Sequence, residues 1–332
     1  MNHTMNHTMD TKERFLYHSV GSHGENVFLS VFYTIVLVLS VPANAMALWV
    51  FCHPKNGSSS ARVFLTHLAL ADMCYVLLLP MRVVYHASGG DWILGEAACR
   101  LSGFLFYLNL YCSLYFMTSI SFDRFLAVVF PIRSLSWRKP AYAKVACAIL
   151  WVTLTVSMAP VMASKQTMAI PLGVHNVTVC QQLYLERTSP LALRSLAVAF
   201  ALPLVVLSLS YVLILFKLRA VKRQTPVHLK AKRMVVLTLV NFLVAFLPYH
   251  IHRFFYIVRY NQHNVSEEEV TSLSLGNRVT SALTCVNGVI DPLMYFFLTE
   301  TYQRALLKLL GRAESAKTDQ HSKPGSGTSS AF

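Results

Sequence analysis

Apolar residues run through this chain in blocks too long for a water-soluble fold. Residues 27–52 form an uncharged run of 26 and residues 145–163 another of 19. An α-helix needs ~20 apolar residues to cross a hydrocarbon core. Residues 63–81, 101–122, 195–216, 234–258 and 279–298 show the same pattern more loosely. Asp72 interrupts the second span and Arg253 the sixth, so those two rest on their apolar flanks. An open sheet edge cannot stay unpaired in lipid, so all seven are predicted to be helices. Pro42, Pro80, Pro160, Pro203, Pro248 and Pro292 fall within or at the ends of spans, where neighbouring helices can satisfy the freed carbonyls. The predicted class is an all-α membrane protein with a seven-transmembrane helix bundle over residues 27–298.

The flanks read differently. Residues 1–26 are polar and lack the apolar stretch of a cleavable signal, which leaves the first span as the targeting element. After the last span, Phe297, Tyr302, Leu306, Leu309 and Leu310 alternate with Arg304, Lys308 and Arg312. That pattern predicts an amphipathic helix on the inner leaflet over 299–311. Residues 312–332 are rich in Ser, Thr, Lys and Gly and read as a disordered cytoplasmic tail, its hydroxyls either kinase sites or a solvating linker.

Charge sets the orientation. Only 13% of residues are charged and 55% are apolar, yet the formal net charge is +14. With the N-terminus outside, 19 of the 29 Lys and Arg lie in the inner loops and tail. The positive-inside bias selects that arrangement. It makes 1–26 an extracellular tail and leaves no compact basic domain for a nucleic-acid polymer. The glycosylation sequons at Asn2, Asn6, Asn176 and Asn264 fall outside; the one at Asn56 falls inside. Cys99 and Cys180 are the two cysteines on the oxidising side, and a disulfide between them is expected.

Polar groups deep in a bilayer are costly and mark function. Asn44, Asp72, Ser113, Asn287 and Asp291 lie mid-span and suit a small hydrated cavity holding sodium or a proton. Asp123-Arg124-Phe125 ends the third span, and Asp291-Pro-Leu-Met-Tyr295 closes the seventh. With Trp92, Trp151, Pro203 and Pro248, this set resembles the rhodopsin-like G-protein-coupled receptors over residues 27–311. The stretch Phe246-Leu-Pro248-Tyr249-His250-Ile-His-Arg253 is similar to the sixth-helix signature of the purinergic nucleotide receptors and their lipid-mediator relatives. The resemblance implies a multi-pass plasma-membrane receptor for an anionic ligand of uracil nucleotide, nucleotide sugar or cysteinyl leukotriene type. It also implies a heterotrimeric G protein, with the inhibitory type favoured, and arrestin and receptor kinases on the tail. Asp123, Arg124, Tyr211, Phe246, Pro248 and Tyr295 would form the switch, and an allosteric sodium ion would be the one cofactor. Three departures stand out. Phe246 replaces the usual Trp, no acid near His228 can lock Arg124, and no second pair of outer cysteines ties the N-terminus to the last outer loop.

The pocket chemistry points the same way without the family. His250 and Arg253 are three apart on one helix, Arg82 and Arg278 add two guanidiniums, and Tyr85, Tyr107, Tyr111, Tyr249 and Tyr256 surround them. Guanidinium forks among phenols suit a phosphate or carboxylate on a flat or apolar body. The alternative is that these arginines snorkel to headgroups, the better reading for Arg194. No catalytic set, metal-ligand cluster or Gly-rich phosphate loop is present, so no enzyme is expected. A constitutively active receptor that needs no ligand stays open, as does, more remotely, an organic-anion transporter, although no inverted repeat supports the latter.

Overall fold

The computed structural model describes residues 11–53, 59–172, 175–184, 190–219, 226–262 and 264–309. Asn2, Asn6, Asn56 and the tail hydroxyls lie outside them. The elements are α1 (Thr11–His18), α2 (His23–Cys52), α3 (Ser60–Val76), α4 (Leu79–Ala87), α5 (Gly95–Val129), α6 (Ser134–Trp137) and α7 (Pro140–Ala163). A two-stranded hairpin follows, β1 (Thr167–Leu172) with β2 (His175–Cys180), and then α8 (Gln181–Tyr184) and α9 (Pro190–Arg219). The chain ends with α10 (Pro226–Asn241), a π-helical turn (Phe242–Phe246), α11 (Leu247–Tyr260), α12 (Glu267–Thr284), α13 (Asn287–Leu298) and α14 (Glu300–Leu309).

These make seven rods: α2, α3–α4, α5, α7, α9, α10–α11 and α12–α13. Six are long and apolar enough by themselves to span a membrane. The seventh opens on Glu267, Glu268 and Glu269 and is the most polar of the set. α14 then turns through 103° from its axis, as a helix lying across the bundle end would. Side chains such as Phe28, Val38 and Val198 are exposed on the outer faces of α2 and α9, where lipid rather than water would meet them.

Pro42, Pro160 and Pro203 lie inside unbroken helices, whereas Pro80, Pro248 and Pro292 accompany the breaks in the rods. Pro292 has no N–H for the carbonyl of Gly288 one turn earlier, and Asn44 Nδ2 of α2 donates to that oxygen instead at 2.8 Å. Around it, Val286 and Gly288 bond three residues back, to Leu283 and Cys285. Pro248 likewise follows a π-helical turn, in which the N–H of Leu247 reaches back to the carbonyl of Phe242. Pro80 sits just past the break between α3 and α4.

The two ends of the bundle differ. At one, the Cys99–Cys180 disulfide joins α5 to β2, with Cα atoms 5.6 Å apart. Thr167 pairs with Cys180 at the open end of the hairpin. Glu96 pins β1 by accepting from the backbone N–H groups of Gln166 and Thr167 at 2.8 and 2.9 Å.

The N-terminal stretch is not simply a tail. Ser22 and Glu25 form a capping box that starts α2 at His23. Before it, α1 lies on the bundle. Phe15 is wholly buried against Tyr256, Tyr260, Val265 and Val270. Glu267 receives Arg14 at 3.6 Å and His18 at 2.5 Å. Gly90, at φ +86°, lets the loop after α4 approach the Val20 carbonyl, which a Cβ would strike. The link between N-terminus and last loop, which the missing cysteines appeared to forfeit, is therefore present without a covalent bond.

The apolar anchor should outweigh the ion pairs. Burying a Phe in a packed site is worth ~3–5 kcal/mol, whereas exposed pairs contribute ~1 kcal/mol or less. We expect Phe15→Ala to speed amide exchange over residues 11–20 by roughly 100-fold or more. Glu267→Gln should do so by less than about tenfold. Hydrogen-exchange mass spectrometry checks the order; the reverse ranking would make the tether electrostatic.

Candidate functional site

Arg82 enters the bundle one turn into α4 and is completely buried. Its Nη1 donates to the Tyr33 hydroxyl at 3.1 Å. Its guanidinium carbon lies 4.7 Å from the Phe106 ring centre, 5.5 Å from Tyr33 and 5.7 Å from Tyr184. Nε and Nη2 have no acceptor among the described residues. No described carboxylate pairs with this guanidinium either. A charge taken from water without a counter-ion is among the costliest arrangements a fold can hold.

Arg253 lies across Tyr184 from Arg82. Its Nη1 donates to the Tyr184 carbonyl at 3.5 Å, and its guanidinium carbon sits 4.9 Å from the Tyr256 ring centre. Asn277 Nδ2 donates to the same carbonyl at 2.5 Å. Beside Arg253 a cleft of about 360 Å³ opens between α5, α7, α9 and α11, lined by Tyr107, Tyr111, Tyr249 and Leu154 among others. Tyr107 and Tyr111 stack with ring centres 6.4 Å apart. The tyrosines and Arg253 are thus brought together; Arg82 stands behind Phe106, whose ring lies 5.8 Å from that of Tyr249.

Three predicted ligand contacts are placed differently. Arg278 is already neutralised: Nη2 donates to Glu25 at 2.6 Å and Nη1 to the His18 carbonyl at 2.5 Å. Tyr85 points to the N-terminal segment, its hydroxyl 3.4 Å from the Ser19 carbonyl. His250 shares a helix with Arg253 but not its cleft. Its ring stacks on Phe200 at 4.1 Å, and Nδ1 lies 2.8 Å from the Phe246 carbonyl. A carbonyl only accepts, so Nδ1 donates to it, and Nε2 has no partner among the described residues.

The mid-bundle polar residues do converge. Asp72 Oδ1 receives Asn109, Ser113 and Asn287, each at 3.4 Å, and Oδ2 receives the Tyr295 hydroxyl at 3.4 Å. Asn241 donates to Asn287 Oδ1 at 2.7 Å and to Asp291 Oδ1 at 2.9 Å. Asp291 Oδ2, Asn44 Oδ1 and Asn241 Oδ1 are buried acceptors with no donor among the described residues. This oxygen-rich set fits a hard cation or a proton. The described residues contain no cluster of three or more His, Cys, Asp or Glu that could hold a metal ion.

At the end opposite the disulfide, Asp123 is held chiefly by a residue outside the expected set. Arg138 grips both its oxygens at 3.0 Å, and Ser60 donates at 2.8 Å. Arg124 is only 3.8 Å away at its nearest approach. Tyr211 bonds Ser121 at 2.6 Å, and Phe246 closes the π-helical turn ahead of Pro248.

Residues 43–295 match the model of the 7 transmembrane receptor (rhodopsin family). The chain is a rhodopsin-family receptor. It is 48% identical over 288 residues to the uracil nucleotide/cysteinyl leukotriene receptor of Rattus norvegicus, which covers 86% of this chain and 84% of the relative. The Homo sapiens protein of that name is 47% identical over 287 residues, 86% of this chain and 77% of its own. Cysteinyl leukotriene receptor 1 of Homo sapiens is 31% identical over 290 residues, 85% and 84% of the two chains. The receptor is accordingly a multi-pass plasma-membrane protein and not an enzyme, and its family works through G proteins and small ligands.

Sequence reasoning missed several of the receptor's working residues. Asn109 and Asn241 are polar groups inside apolar spans, so the rule that found Asn44 and Ser113 would have found them. Tyr33, Phe106 and Tyr184 carry no such mark; only packing shows that they form the walls around Arg82.

Proposed function

We propose that the receptor binds a small extracellular anion with an apolar or planar body and signals through an inhibitory G protein. The observation that carries this is Arg82: a fully buried guanidinium with two nitrogens unpartnered among the described residues and no acid beside it. An incoming phosphate or carboxylate supplies the missing acceptor. Arg253 and the tyrosine cleft then take the rest of the ligand. The names of the relatives, uracil nucleotide and cysteinyl leukotriene receptors, describe molecules of this kind. Arg278 and Glu25 brace the rim, and His250 supports the α9–α11 contact. In this reading the disulfide end is extracellular, Asn176 and Asn264 carry glycans there, and Arg124 meets the G protein. Arrestin and receptor kinases act on the tail beyond Gly311.

A second reading has its own support. Arg253 and Asn277 already bond the Tyr184 carbonyl, so the segment after the hairpin occupies a place a ligand would use. If that contact mimics agonist, signalling is high with none added.

A charge-assisted hydrogen bond contributes ~1.5–3 kcal/mol. We expect Arg82→Gln and Arg253→Ala each to weaken agonist potency by roughly 30- to 150-fold. The measurement is the cAMP fall on uridine diphosphate or a cysteinyl leukotriene, normalised to surface label. Arg253→Lys should recover only part, and Arg194→Ala should be near neutral. Unshifted midpoints for both arginines reject the anion site; high signalling without agonist supports the second reading.

We infer that sodium or a proton sits between Asp72 and Asp291 in the resting receptor and opposes agonist by linkage. Asp72→Asn should then abolish the sodium dependence of agonist affinity. Radioligand competition with and without sodium decides it; unchanged dependence refutes it. For orientation, an impermeant N-glycosidase applied to intact cells should shift the band, and Asn176→Gln/Asn264→Gln should reduce that shift.

A further inference from the structure

A second cleft runs from Tyr115, which it shares with the first, towards the Arg124 end. It has a volume of about 370 Å³ and opens between α5, α7 and α9, beside α6. Phe122, Leu126, Leu202 and Val206 line its walls, and Ala143 and Ala146 its floor. The two alanines are three residues apart on one face of α7, so two small side chains leave a channel that larger ones would fill. Phe122, Trp137, Tyr142 and Leu202 are all exposed at its margin. In a bilayer that margin faces lipid, and Trp and Tyr there stand at headgroup level.

The polar end of the cleft is lined by one acid and one guanidinium, and two further cations flank that guanidinium in sequence. Asp123 is the single acid lining it, and Arg138 covers that acid through Nε and Nη2. Arg138 Nη1, with two more N–H groups, is not spent on Asp123. Lys139 follows, its ammonium 5.9 Å from the Tyr142 ring centre, and Arg133 is exposed at the residue before α6. Residues 124–144 contain five Lys and Arg and no Asp or Glu. An open apolar channel that ends at Arg138, with the exposed cations Arg133 and Lys139 flanking it in sequence, matches one kind of membrane molecule: an acyl chain joined to a phosphate.

We propose that this cleft binds a phospholipid with an anionic headgroup. An acyl chain lies over Ala143 and Ala146, and the phosphate meets Arg138 Nη1, Lys139 and Arg133. The bound phosphate braces Arg138 from the side away from Asp123 and so steadies the clamp next to Arg124. Naming the leaflet as the inner one rests on the orientation proposed above; the site itself does not.

The test uses Trp137 as its reporter. Full-length receptor is placed in phosphatidylcholine nanodiscs containing rising fractions of brominated phosphatidylserine or brominated phosphatidylcholine. The quenching of Trp137 is taken as wild type minus Trp137→Phe. Each exposed cation near an anionic surface raises local lipid roughly fivefold. Wild type should therefore reach half-quenching at a several-fold lower fraction of the serine lipid than of the choline lipid. Arg133→Gln/Lys139→Gln, both exposed and clear of Asp123, should abolish that preference. Lys217→Gln/Arg219→Gln, an equal charge loss elsewhere at this end, should keep it. Ala146→Phe should lower quenching by both lipids. Equal quenching by the two lipids in wild type, or equal loss in the two charge pairs, overturns the proposal. Both nanodisc leaflets have one composition, so the outcome does not depend on which way the receptor faces in cells.

Discussion

A carbonyl that loses its donor inside a membrane has no water to turn to, and this receptor is organised around that constraint. A proline in a span creates such an orphan, and at Pro203, Pro248 and Pro292 the chain answers with a specific polar group or a change of helical pitch. Gly288 is the clearest case, because the donor that replaces the missing Pro292 N–H comes from another helix, Asn44 of α2. The same bond holds the first rod against the seventh at the depth of the Asp72 network. Backbone chemistry thus determines where the polar core can be.

The polar core and the surroundings of Arg82 differ in how they treat charge. Around Asp72 and Asp291, amide and hydroxyl donors divide two carboxylates among four rods, and spare acceptor oxygens remain. Around Arg82 the arrangement is inverted: a cation is walled by aromatic rings whose faces offer partial negative charge, and spare donors remain. One site is short of positive charge and the other short of negative charge. The rods between them carry the π-helical turn before Pro248 and the break ahead of Pro80.

The span pattern and the Cys99–Cys180 pair were legible because each depends on local composition or on a sorting of few residues. The interior of the site was less so. Helical spacing put His250 and Arg253 on one face, but three residues turn ~300°, and the remaining ~60° is enough to aim the imidazole at α9 rather than the cleft. Arg278 looked available because Glu25, its partner, is 253 positions away in sequence and belongs to a capping box. Arg138 was overlooked for a related reason: its distance to Asp123 depends on how α6 folds back, which no periodicity encodes.

The contact between α1 and the loop before α12 bears on how the disulfide end of the bundle responds to its surroundings. A covalent tether is indifferent to salt and fails only under reduction. Here the two straps over the bundle answer to different agents: the hairpin is secured by sulfur, the N-terminal helix by one phenyl ring and by the contacts of Arg14 and His18 with Glu267. A reductant loosens one and leaves the other in place, while single-residue change can retune the second strap by degrees, something no disulfide allows.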